Sequence, residues 1–322
     1  MTRQELTKQG VTRATLRDNF TPAERGVYVG NEALLPETTD SGFRRDRRIT
    51  ALQLTIAHLL RHPKRMATGF GAASLYRMTS FVNEEILEFL APHGTDPSSA
   101  PAHILVHPTR HLPTHLRGVR HVTGDLSHLR IADPGTTLSH MLHLVSTPDD
   151  ARSARWRIPD LTSVRPHLTP EFIRCVQSSD AFHHARGRQE LDPLSGLMVP
   201  GGVDADLAAR VLGATDLGAE SPMETRLRLV VADLAPGLRS QIPVFKDNGN
   251  LLTISDLGWE DHGLHLFYDG EHHLKRSQRD KDSKVLAALQ RDGGRVIRVV
   301  SEDLKDADAV AALRDRIIEV LE

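Results

Sequence analysis

The sequence predicts a multi-domain α/β chain. It divides into an N-terminal winged helix-turn-helix over 1–40, an α+β middle domain over 45–148, a helical connector over 149–215 and a C-terminal αβββαβ core over 216–322. Three observations predict this class. The last hundred residues switch between helical and strand periodicity in the order α-β-β-β-α-β-α. The first forty set two short capped helices ahead of a β-rich run that follows a glycine. And 322 residues exceed what one hydrophobic core commonly serves.

The elements follow in order. Arg3 to Gln9 read as a short helix stopped by Gly10, and Thr12 caps a second over Arg13 to Asn19. The run Arg25–Gly26–Val27–Tyr28–Val29 then reads as a strand. In a winged helix-turn-helix the second helix enters the major groove and the wing grips the backbone. Arg13, Thr15, Arg17 and Arg25 are therefore the candidate nucleic-acid contacts of this end. Beyond a basic linker, Leu52, Ile56, Leu59 and Leu60 recur at helical spacing, and a small-residue helix, Gly71 to Tyr76, follows. His103, His107, His111 and His115 fall at every fourth position, but Pro108 and Pro113 break a helix there, so HILVHP reads as a strand. Asp133–Pro134 opens another helix through Val145.

In the C-terminal hundred residues, Ser221 caps a helix that carries Pro222 at its first position and Glu224 in its first turn. Ser240 to Phe245 and Leu251 to Leu257 form a hairpin across Asp247–Asn248–Gly249–Asn250. Leu264 to Tyr268 is a third strand running into Asp269–Gly270. A helix over Ser277 to Gln290, a strand over Arg295 to Val300 and a helix over Asp306 to Leu321 close the chain.

SPMETRLR, the isolated aspartate in TISDLGW, LFYDGEHH and the tail SQRDKDSKVLAALQRDGGRVIRVVSEDL occur in the order of a PD-(D/E)XK nuclease core. The segment resembles the very-short-patch-repair endonucleases and the related DUF559 proteins. The N-terminal region, with its RGVY run and AASLY helix, resembles AbiEi-type antitoxins. The resemblance implies a restriction-endonuclease-like fold at the C-terminus and Mg²⁺ (Mn²⁺ possible) as cofactor. Phosphodiester hydrolysis uses such a cation to polarise the phosphate and acidify the attacking water, and two carboxylates with a carbonyl suffice to hold it.

Asp256 and Asp269, on neighbouring strands, are expected to converge on the ion, and the backbone carbonyl of Tyr268 is a further ligand by resemblance. Glu224 would bind through water or position the nucleophile, although it equally suits the dipole of its helix. His272 and His273 are candidate acids at the phosphate; they point to opposite sides of an extended strand, so one of them reaches the site. Arg279, Lys281 and Lys284 would hold the nucleic acid by charge. Phe267 stands where DUF559 sequences carry glutamate, whereas the resemblance to the very-short-patch-repair enzymes implies a phenylalanine there with histidines in its place; Glu271 stands after Gly270 where the nuclease motif has lysine.

Composition bounds the function classes. Residues 1–80 carry 13 lysines and arginines against 7 acidic residues, a net +6, whereas 81–220 and 221–322 carry −5 and −3. A basic head on an acidic body is expected where one end meets phosphate. The single Cys175 excludes an internal disulfide framework and a multi-cysteine zinc site. No apolar run is long enough to span a bilayer and no signal-peptide core opens the chain, so a cytoplasmic protein with DNA as partner and no membrane is expected. Three functions follow: a Mg²⁺-dependent DNA endonuclease, a DNA-binding regulator or antitoxin with a degenerate nuclease fold, and a zinc protein using the histidines. Two-strand cutting would call for a homodimer or two sequential events.

Overall fold

The computed structural model describes residues 1–34, 49–96, 100–109, 128–149, 152, 155–187, 190–246, 248–270, 289 and 294–322. The chain mixes helices with three separate sheets and divides into two compact units. The first comprises Met1–Val145, Ala185–Gly187 and Asp192–Ala209; the second comprises Ser146–His184, Arg188–Leu191 and Arg210–Glu322.

The first unit begins with α1 (Arg3–Lys8) and α2 (Arg13–Asn19). Thr2 caps α1 in a capping box with Glu5, and Thr12 caps α2 by accepting from the Thr15 N–H. β1 (Phe20–Glu24) and β2 (Val27–Gly30) form an antiparallel pair turned at Gly26, whose φ is +84°. α3 (Ala51–Arg61) starts on a Thr50–Gln53 capping box and buries Leu54, Ala57 and Leu59. A second sheet has the order β3-β4-β5, from Met66–Thr68, Leu87–Pro92 and Ile104–Thr109. The pair β3–β4 is antiparallel and β4–β5 parallel. α4 (Gly69–Leu75) and α5 (Pro134–Ser146) present small buried residues, which allow close backbone approach. Every fourth-position histidine that falls on described residues lies on or before β5; His111 and His115 lie outside them.

Gly69 shows how tight that packing is. Its φ is +49°, and a Cβ there would sit 1.8 Å from Glu88 Oε2, a carboxylate held by His107 Nε2 at 3.1 Å and almost wholly buried. Gly69→Ala is expected to destabilise the chain by roughly 2–4 kcal/mol, combining backbone strain with overpacking. Denaturant unfolding measures it.

The second unit carries α6 (Pro170–Ala185), α9 (Pro222–Val231) and α10 (Ala307–Leu321); α7 (Leu194–Leu197) and α8 (Ala205–Ala214) precede α9 in the chain. Its four-stranded sheet runs β6-β7-β8-β9, from Leu238–Phe245, Leu251–Trp259, Leu264–Asp269 and Arg295–Val300. The first two pairings are antiparallel and β8–β9 is parallel. A parallel pair demands a long crossover. The expected crossover helix, Ser277 to Gln290, lies outside the described residues apart from the buried, helical Leu289. The β6–β7 turn closes through Lys246 N–H to Asn250 O at 2.8 Å, with Gly249 at φ +78°.

α9 begins as its sequence dictates: Ser221 accepts from the Glu224 N–H and Pro222 stands at the first position. It packs against β7, β8 and α10. Leu227, Val230, Leu257, Trp259, Leu264, Leu266, Val299, Leu313 and Ile317 form the core beneath it. Trp259 donates its indole N–H to Ala235 O at 3.0 Å, so even the largest core ring leaves no polar atom stranded. Among the described residues no helix is long and apolar enough to cross a membrane.

Candidate functional site

Two half-buried carboxylates lie within electrostatic reach of each other in the second unit, where α9 packs against β7 and β8. Glu224 projects from the first turn of α9; its Oε2 accepts from Glu220 N–H at 3.0 Å and, at 3.5 Å, from the Gln241 side-chain amide of β6. Asp256 lies in β7, half-buried, and its Oδ2 accepts from the backbone N–H of Tyr268 on β8 at 2.6 Å. Both groups bind protons more tightly than usual. Burial is the first cause for Asp256, pushing it up to about 6 against the Tyr268 hydrogen bond; the negative charges of Glu224 and Glu220 push the same way. Burial likewise raises Glu224, with Glu220 adding repulsion.

The remaining sequence candidates distribute as follows. Asp269, at the end of β8, forms an ion pair with Arg298 of β9. The parallel register sets Phe267 beside Arg298 and Asp269 beside Val300, which brings that guanidinium within reach. Thus Glu224 is near enough to raise the Asp256 carboxyl, and Asp269 is paired with Arg298. Tyr268 meets Asp256 through its backbone. His272, His273, Arg279, Lys281 and Lys284 lie outside the described residues. At the other end of the chain Arg13, Arg17 and Arg25 are exposed; Arg17 bonds Asp18 at 2.9 Å, and the Thr15 hydroxyl pairs with that of Thr12.

A second polar cluster, in the first unit, was not singled out by sequence pattern. Glu24 of β1, His58 of α3 and His62 bring their ligand atoms within 4.8 Å of one another, the single such group of three among the described residues. Its bonding argues against a cation. His58 Nδ1 bonds Glu24 Oε1, and His58 Nε2 lies 2.8 Å from Arg65 Nη1. A guanidinium only donates, so Nε2 accepts and the ring proton sits on Nδ1, leaving neither nitrogen a lone pair to offer. Arg61, 3.5 Å from Glu24, adds a second positive charge. Burial, then Arg65, lowers His62 to about 4, so it is neutral at pH 7. The cluster is a carboxylate–imidazole–guanidinium relay that ties β1 to α3.

A third network lies in the segment where no chemistry was expected. Asp180, on α6 and 1% exposed, accepts from Asp216 N–H, the Thr225 hydroxyl and Arg228 Nη2, each at 2.8 Å. Arg228 Nε lies 3.3 Å from Asp216, which also accepts from Ser240. Arg228, Asp216 and Ser240 line an open groove of about 680 Å³. Both carboxylates already face Arg228, so the network ties α6, α9 and β6 together and its role is structural.

Comparison with protein-family models, with curated proteins and with solved structures finds no match. The reading of function therefore rests on the chain's own residues.

Proposed function

We propose that the chain is a divalent-cation-dependent DNA endonuclease whose cation is held by Asp256 and Glu224, with DNA bound by the basic N-terminal helix-turn-helix. One observation carries this reading: two half-buried carboxylates from different elements lie close enough that the charge of Glu224 adds to burial in raising the Asp256 carboxyl. Like charges in a low-dielectric site destabilise the fold unless a proton or a cation joins them, and such costs concentrate where chemistry is done.

The residues present fit a hard cation. In an extended strand the N–H and C=O of one residue open toward the same neighbour. Since Tyr268 N–H faces Asp256, its carbonyl opens on that edge too, giving a third oxygen beside the two carboxylates. Bound there, Mg²⁺ or Mn²⁺ would polarise a phosphate and lower the pKa of the attacking water. Asp256 and Glu224 would orient the ion, and Arg298, released from Asp269, would meet a phosphate oxygen. His272 and His273 follow three and four positions beyond Asp269, and one of them would supply a proton to the leaving oxygen.

The Asp269–Arg298 ion pair and Phe267 favour a second reading. Both reduce the anionic charge of the site, as a DNA-binding regulator with a degenerate nuclease fold would. Incubation of the full chain with supercoiled plasmid separates the two. The endonuclease converts it to nicked or linear DNA with Mg²⁺ or Mn²⁺ and not with EDTA; the regulator shifts its mobility and leaves it intact.

Cation binding must also depend on pH. Asp256 takes up its proton near pH 6, and the protonated form cannot ligate. Mn²⁺ affinity is expected to be flat above about pH 7 and to fall below 6 with a slope that approaches about tenfold per pH unit. A calorimetric titration at pH 5 and pH 7.5 reads it, and equal affinities would count against Asp256.

A further inference from the structure

Gln241 has a backbone that its place in the fold does not explain. Its φ is +52°, in the middle of β6. The other non-glycine residues with positive φ among the described ones, Arg77, Phe81 and Arg157, all fall in turns or irregular segments. Left-handed backbone is sterically disfavoured for a non-glycine residue. Asn and Asp offset it by local hydrogen bonding, which the longer glutamine does less readily.

The register shows where the distortion falls. Ser240 pairs with Leu257 and Ile242 with Ser255, so the count is unbroken and Gln241 stands opposite Asp256 at the missing rung. There is no inserted residue to relieve. The side chain of this residue faces α9, where Gln241 Nε2 lies 3.5 Å from Glu224 Oε2.

We propose that Gln241 is a positioning residue, whose left-handed backbone aims its amide at Glu224 and holds that carboxylate toward Asp256. The inference rests on the reading of Glu224 and Asp256 as one site. A neutral donor suits the task. It restrains a carboxylate that Asp256 repels, yet brings no charge that would compete with a cation. An arginine or lysine would neutralise the pair, as Arg228 does for Asp180.

The test uses the full chain with glutamine side-chain amides labelled with ¹⁵N. The signal pair missing from Gln241→Gly identifies Gln241. In Glu224→Ala that pair is expected to move while the other glutamine amides stay; an unmoved pair overturns the proposal. Gln241→Gly is expected to keep or raise the melting midpoint, because glycine accepts the backbone, and to weaken Mn²⁺ binding about tenfold or more, the scale of lost ligand-orienting partners. Gln241→Asn, which tolerates the backbone but carries a shorter amide, is expected to weaken binding similarly. Mn²⁺ affinity within twofold of wild type in Gln241→Gly overturns the role. A wild-type chain that binds no Mn²⁺ defeats the cation reading instead, and the amide signal still decides whether Gln241 holds Glu224.

Discussion

Replacing Asp256 with alanine is expected to lower metal-dependent DNA cleavage by at least about 10³-fold while the chain stays folded. The scale is that of removing a group that acts directly at the reacting centre. Folding is expected to survive because Asp256 is held against its preference. Burial and the charges of Glu224 and Glu220 all favour its protonated form, and among the described residues the bond from Tyr268 N–H is the favourable contact given up. Its loss leaves a half-exposed backbone donor that water can satisfy. A melting midpoint within a few degrees of wild type, together with lost cleavage, is the signature of a residue kept for function at the expense of stability. Cleavage unchanged in this variant would place the chemistry elsewhere.

Asp180→Ala is expected to have the opposite profile, destabilising the chain by about 3–5 kcal/mol. Three donors converge on this carboxylate, one of them the Arg228 guanidinium. Removing it takes the acceptor from the Asp216 N–H, the Thr225 hydroxyl and one face of the Arg228 guanidinium, which Asp216 alone then balances. The pH dependence has a definite sign. Burial, outweighing Arg228, raises the Asp180 carboxyl to about 6, above its ordinary value of 3.8. Between those two values the folded chain holds a proton that the unfolded chain has released, so wild-type stability from this group rises as pH falls from 6 toward 4. Asp180→Ala lacks that gain, and the gap between the two proteins is expected to widen over the same interval. Urea unfolding at pH 4.5 and pH 7.5 measures both quantities.

The two carboxylates differ because of what faces them. Asp180 meets an arginine and accepts from three donors, whereas Asp256 feels the charge of Glu224 and, among the described residues, accepts from Tyr268 N–H alone. A buried acid is therefore not evidence of chemistry until its partners are counted. The same count disposes of the Glu24–His58–His62 group as a cation site, since Arg65 occupies the imidazole nitrogen a metal would need.

Local signals in the sequence carried much of the fold. Thr12 and Ser221 cap where short polar residues before helical runs predict, Asn248–Gly249 turns the hairpin, and Arg295–Val300 is the strand its β-branched run demands. HILVHP is a strand, and its His107 meets Glu88 rather than another histidine. What could not be read are contacts set by register and tertiary packing. Arg298 captures Asp269 because two strands run parallel in one particular alignment. Gln241 looks like any polar residue in LRSQIPVF until its φ is known. Asp180 sits in α6, 45 residues ahead of the Thr225 it binds, in a segment without any motif.

The most direct test of the central claim is a Mn²⁺ titration of the metal-free chain, followed by calorimetry or electron paramagnetic resonance, in wild type, Asp256→Ala and His58→Ala. The account predicts binding in wild type that Asp256→Ala abolishes and His58→Ala leaves unchanged. Absence of binding in wild type, or binding that survives Asp256→Ala and is lost in His58→Ala, would contradict it.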